Sequence, residues 1–189
     1  QYLLLLMRSF RNSCSLYAIG LFAIFTIPHA NANNFSYNYV EAQVITDPGG
    51  IGIAGSIPFH EHAHVVYNAQ TAFNSDWLLT GGVGFNAPIA DRADVRGYLK
   101  AHSRKNDETT GDWGETFSEF SIDFSVWANQ QSEVGASIGT YFMPEEEEID
   151  KFHLFYRYHA TSAISIGVEL HLSGLDDGQM LLSARYPLG

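Results

Sequence analysis

Cysteine is all but missing from this chain. Cys14 is the only one among 189 residues, so no disulfide can staple the fold. Basic residues are scarce too: 10 Lys and Arg stand against 21 Asp and Glu, a net charge of −11. A chain so acidic repels polyanions, which excludes nucleic acid as a partner. After residue 32 no apolar run approaches the roughly 20 residues of a membrane helix. No helical period competes there with a period of two.

What is present begins with a leader. Arg8 and Arg11 precede an apolar run over 16–27, Pro28 ends it, and Ala30-Asn31-Ala32 fits a small-x-small cleavage site. Residues 1–32 are therefore expected to be a secretory signal peptide, and Cys14 leaves with it. The remainder, 33–189, is one domain by length. Losing Arg8 and Arg11 takes its net charge to −13, because eight basic residues then face 21 acidic ones.

The clearest pattern lies over 150–172. Phe152, Leu154, Tyr156 and Tyr158 alternate with Lys151, His153, Arg157 and His159; Ile164, Ile166, Val168, Leu170 and Leu172 alternate with Ser165, Gly167, Glu169 and His171. Period two marks strands, and residues 160–162 leave room for a tight turn, so this is a β-hairpin. Opposed residues of an antiparallel pair have numbers of constant sum. A sum of 322 sets Phe152 against Leu170, Leu154 against Val168 and His153 against Glu169. A slip of one residue would bring charges into the apolar row.

Similar segments recur near 35–46, 50–58, 62–71, 76–86, 93–103, 116–127, 133–143, 150–160, 163–172 and 177–186. Short connections at 59–61, 87–92, 128–132 and 160–162 alternate with longer, more acidic ones at 104–115 and 144–150. The rhythm predicts an all-β fold: an antiparallel up-and-down transmembrane β-barrel of about ten strands, or eight if one hairpin stays outside the membrane.

Alternation fits a soluble barrel with apolar residues inside as well as a membrane barrel with them outside. Three features favour the second. The polar face holds small residues, Gly52, Ala54, Ser56, Thr80, Gly82, Gly84, Gly135, Ser137 and Gly139, useful where a narrow interior is crowded. Charges occur mid-strand in opposite-sign pairs. A sum of 219 sets Arg96 against Asp123 and Lys100 against Glu119, and Glu41, His153, Arg157, Glu169 and Arg185 lie on the same face of other strands. Enclosed ions require partners, so these nine residues are read as an ion-paired lumen. Aromatic residues gather at the ends of the apolar rows: Trp77 and Phe152 toward the loops, Phe85, Tyr158 and Tyr186 toward the turns. That placement suits the lipid–water boundary.

Tyr37-Asn38-Tyr39-Val40-Glu41, Gly50-Ile51-Gly52-Ile53-Ala54-Gly55-Ser56, Gly81-Gly82-Val83-Gly84-Phe85 and Ser183-Ala184-Arg185-Tyr186 resemble the first, middle and last strands of a family of small, largely uncharacterised bacterial outer-membrane β-barrel proteins. The resemblance implies a barrel in the outer membrane of a Gram-negative bacterium, facing outer-membrane lipids and lipopolysaccharide. It implies no catalytic residues. Such barrels usually end in an aromatic residue; here Tyr186 precedes Pro187-Leu188-Gly189.

Three clusters invite chemistry. His60-Glu61-His62-Ala63-His64 puts His62 and His64 on one strand face, where they would share a metal with His60 or Glu61. The other reading is a solvated turn. His102, His153 and His171 lie near the loop end with Glu169, Glu148 and Asp150, a general-base arrangement that would need Ser103, Ser173 or water as nucleophile. The other reading is a polar network that satisfies buried imidazoles. The acids Asp107, Glu108, Asp112, Glu115, 145–148, Asp150, Asp176 and Asp177 form either a solvated rim or a place for divalent cations to bridge lipid headgroups. The favoured reading is a monomeric, non-enzymatic barrel with a largely plugged lumen and a structural or surface role. It has no cofactor, no catalytic residue and no resident metal. The alternatives are a narrow channel for small solutes, a hydrolase at the extracellular rim, and a soluble periplasmic ligand-binding barrel.

Overall fold

The computed structural model describes residues 35–73, 76–106, 114–144 and 147–188. The leader expected over 1–32 lies outside them, as do Asp107, Glu108 and Asp112 of one acidic loop and residues 145–146 of another. Ten strands follow in order: β1 (Tyr39–Thr46), β2 (Gly49–His60), β3 (Ala63–Ala72), β4 (Trp77–Ala90), β5 (Ala93–Lys105), β6 (Glu115–Trp127), β7 (Ser132–Phe142), β8 (Ile149–His159), β9 (Ser165–Ser173) and β10 (Met180–Pro187). Every strand pairs antiparallel with its sequence neighbours, and β10 returns to β1, closing the sheet. Closure removes the unpaired edges that an open sheet would expose. No helix occurs among the described residues.

The barrel is inverted relative to a soluble one. Val44, Ile51, Ile53, Leu79, Leu99, Ile138, Leu154, Ile166 and Leu182 all point outward and are exposed. The polar row of the same strands is buried: Glu119 is 2% exposed, Asp94 0%, Glu133 4% and Lys151 8%. This orientation excludes the soluble barrel with a greasy core. The exposed aromatics Phe85, Phe152, Tyr158 and Tyr186 lie among the outward residues, and Trp77, half-buried, opens β4 at the loop end.

Register follows charge in one hairpin and departs from expectation in another. Between β5 and β6, Arg96 opposes Asp123 and Lys100 opposes Glu119, the sum of 219. Between β8 and β9 the sum is 324 rather than 322: Leu154 opposes Leu170, Tyr156 opposes Val168, and His153 opposes His171, not Glu169. The connection is longer than 160–162, since the last pair before it is His159 with Ser165. A shift of two keeps every side chain on its own face, so hydrophobic alternation cannot tell the two registers apart. The irregularity between Phe152 and His153 then sets Phe152 against Ser173.

Two other turns are tighter than the sequence implies. β2 runs through Phe59 and His60, and β4 through Ala87, Pro88, Ile89 and Ala90, leaving the two-residue turns Glu61-His62 and Asp91-Arg92. Pro88 is accommodated because the ladder shifts register between Pro88 and Ala90, the kind of irregularity that tolerates a missing N–H. Small interior residues allow the crowding. A Cβ on Gly84 would overlap the His64 and Tyr98 rings, and one on Gly135 would overlap the Phe155 ring.

Candidate functional site

Period-two placement brings acids and bases from all around the barrel into one lumen. Three carboxylates organise its upper and middle parts. Glu119 on β6 holds Lys100 Nζ at 3.1 Å and Lys151 Nζ at 2.9 Å on one oxygen, and His102 Nε2 at 3.0 Å on the other. His102 Nδ1 lies 2.9 Å from Thr80 Oγ1, and its ring stacks on Phe117. Glu41 on β1 accepts from Arg157 at 2.9 Å and from Arg185 Nε at 2.8 Å. Gln43 donates to the other Glu41 oxygen at 3.1 Å and accepts from Gln70 at 3.1 Å. Glu169 on β9 takes His153 Nδ1 at 2.9 Å, with His171 Nε2 at 3.2 Å from the same oxygen. Burial without partners would be costly for each ion, and these contacts supply the partners.

The turn end is floored by the segment before β1. Tyr37 donates its hydroxyl to Asp94, and its ring stacks on His64 at 5.0 Å. Burial, with the Asp94 carboxylate beside it, raises the Tyr37 phenol well above its ordinary range, so it remains a donor. Phe35 packs on Trp127 at 5.8 Å, and Trp127 on His159 at 4.3 Å. His159 Nε2 lies 3.4 Å from Glu133. At the opposite end Arg104 pairs with Asp176 at 3.1 Å.

Two cavities run along this lining. A loop-side cavity of about 220 Å³ is lined by residues of all three carboxylate clusters, with Asp123, Tyr98, Phe155 and Asp176. A turn-side cavity of about 420 Å³ is lined by Phe35, Trp127, Gln131, His159 and their neighbours. The residues common to both are Arg96, Glu133 and Arg185. Arg96 donates to Ser125 and lies 3.9 Å from Asp94. Arg185 stacks over Tyr39 at 3.6 Å.

All nine charged residues read from the sequence as lumen-facing border the loop-side cavity. Among them Lys100–Glu119, Arg157–Glu41, Arg185–Glu41 and His153–Glu169 are in direct contact. Arg96 and Asp123 oppose each other in register, yet the Arg96 guanidinium turns to Ser125 and Asp94. Lys151, Glu133 and Asp94 join the network without having been singled out. Asp94 continues the period-two row of Arg96, Tyr98, Lys100 and His102, and that alignment was its available signal. The 60–64 cluster does not converge. His62 sits in the turn, exposed, 3.7 Å from Glu61, whereas His64 is 1% exposed inside the lumen. Turning the chain by two residues at a strand start sends the two imidazoles to opposite environments, so no metal is shared between them.

No protein-family model and no curated protein sequence matches the chain. Solved structures do. A KdgM porin in complex with disordered oligogalacturonate and a KdgM porin alone each superpose with a TM-score of 0.57 at 8% identity, covering 80% of this chain and 99% of theirs. At that identity the likeness is one of fold: an up-and-down β-barrel.

Proposed function

We propose that this protein is a non-enzymatic outer-membrane β-barrel whose lumen is a narrow passage for small polar solutes. The single observation that carries the reading is the pair of cavities lined in part by charged side chains. They approach from opposite ends and share Arg96, Glu133 and Arg185 as their common wall. The outward apolar belt supports a membrane setting, since a closed barrel with lipid-facing aliphatics and aromatic ends meets the requirement that all backbone groups be paired inside hydrocarbon. Likeness in fold to the KdgM porins supports the passage over a purely structural role. The lining carries charges of both signs, which suits hydrated polar solutes and excludes apolar ones. A ten-stranded barrel stands close to the width at which side chains fill the interior, so conduction is small.

Planar-bilayer recording of the refolded protein tests this. Wild type is expected to give small, discrete conductance steps. Arg185→Ser removes a side chain from the shared wall while leaving Glu41 its Arg157 partner at 2.9 Å; it should raise the step size. Silence from both folded proteins returns the structural, surface-exposed role to first place.

A further inference from the structure

The register of the β8–β9 hairpin sets His153 directly opposite His171, and their rings stack. Their ring centroids are 3.7 Å apart and the planes differ by 6°. Each offers a nitrogen to Glu169 Oε1, His153 Nδ1 at 2.9 Å and His171 Nε2 at 3.2 Å. The three donor atoms lie within 4.8 Å of one another. His171 Nε2 is buried and, among the described residues, meets no hydrogen-bond partner beyond this ion-pair approach to Glu169. Glu169 keeps a side-chain exposure of 36%, and it faces the loop-side cavity.

We propose that His153, His171 and Glu169 bind a borderline divalent transition-metal ion, of the zinc, nickel or copper class, at the loop-side mouth of the lumen. Two imidazoles and one carboxylate are the ligand set such ions take when a fourth position stays open to water. In a tetrahedral site with bonds of about 2.1 Å the donors stand about 3.4 Å apart, and both nitrogen-to-oxygen separations already approach that. Binding requires the stacked rings to splay and His153 to carry its proton on Nε2, so that Nδ1 presents a lone pair. Gly174, whose absent Cβ would lie 3.6 Å from His153 Nε2, leaves room on that side. Lys151, two residues before His153 on the same face of β8, has its charge held by Glu119 at 2.9 Å. Imidazole donors favour these ions over calcium and magnesium, which prefer all-oxygen shells. The site goes beyond the passage reading and does not depend on it.

The test uses untagged, refolded barrel in detergent, titrated with zinc chloride in a calorimeter. One equivalent is expected to bind, undisturbed by excess calcium. His171→Gln and Glu169→Gln should each weaken binding at least about tenfold, since even outer-shell changes cost that much. His60→Gln with His62→Gln, which removes the exposed turn histidines, should leave it unchanged. Heat-dependent gel mobility verifies that each variant is folded. On the unmutated protein, zinc-edge X-ray absorption should show two imidazole nitrogens at about 2.0–2.1 Å. Binding that survives His171→Gln, that vanishes only with the turn histidines, or that shows an all-oxygen shell overturns the assignment, as does no binding at all. None of these readings involves conduction, so either proposal can fail alone.

Discussion

Neutralising Glu119 is the sharpest probe of the lumen. Its Oε1 is 2.9 Å from Lys151 Nζ and 3.1 Å from Lys100 Nζ. At an effective dielectric of about 20 each contact has a gross attraction of about 5–6 kcal/mol, opposed by several kcal/mol of desolvation per ion. Glu119→Gln leaves both ammonium groups without that charge, and the expected loss is about 3–5 kcal/mol, the range for stranding a buried ion. Lys151→Met is milder, about 1.5–3 kcal/mol, because Glu119 retains Lys100 and His102. The double variant should cost less than the sum of the singles, by about 1–3 kcal/mol. Urea unfolding of the barrel in lipid vesicles measures this, with tryptophan fluorescence and circular dichroism required to coincide before a free energy is taken. Additivity within about 0.5 kcal/mol, or a Glu119→Gln loss below about 1 kcal/mol, would refute the view that this lumen is held by mutual neutralisation.

Two further outcomes follow from packing. Gly84→Ala should destabilise the barrel by about 1–3 kcal/mol, the range for overpacking, because its Cβ meets His64 and Tyr98, while Gly81→Ala, with nothing within 4 Å, should be neutral or slightly stabilising. Equal urea midpoints for the two would show that the interior is not crowded as described. Leu154→Arg places a charge on the outward face near mid-strand, where Leu154 pairs with Ala136 and Leu170. In vesicles the proposed membrane setting predicts a cost of about 2–4 kcal/mol, and an unchanged midpoint would show that Leu154 does not face lipid.

Strand number, order and facing were legible because alternation is a property of each segment alone. Register was legible only where charge added information. Lys100 and Glu119 could match in one alignment of β5 on β6, and the structure has it. In the β8–β9 hairpin the alignment expected from the apolar rows, which also sets His153 against Glu169, lies two residues away from the real one. Both alignments keep the same residues inside, and turn length, which separates them, is not written in the alternation. Contacts between strands distant in sequence were illegible for a related reason. Glu119 reaches Lys151 across β7, and Tyr37 reaches Asp94 from outside the sheet; neither obeys a pairing sum. The histidines of the 60–64 cluster illustrate the converse, since closeness in sequence did not make them neighbours in space.

Nine of the ten ladders join strands that follow one another, but the seam between β1 and β10 joins residues such as Glu41 and Arg185, 144 positions apart. Loop-closure entropy grows only logarithmically, so bringing these ends together costs about 2 kcal/mol more than closing a hairpin of about 20 residues. The seam is fastened at its turn end, where Asn38 and Leu188 exchange hydrogen bonds, and again inside, where Arg185 and Arg157 converge on Glu41. Of the ten ladders, closure entropy therefore weighs most on this one, and there a single acidic side chain clasps two arginines where the wall meets itself.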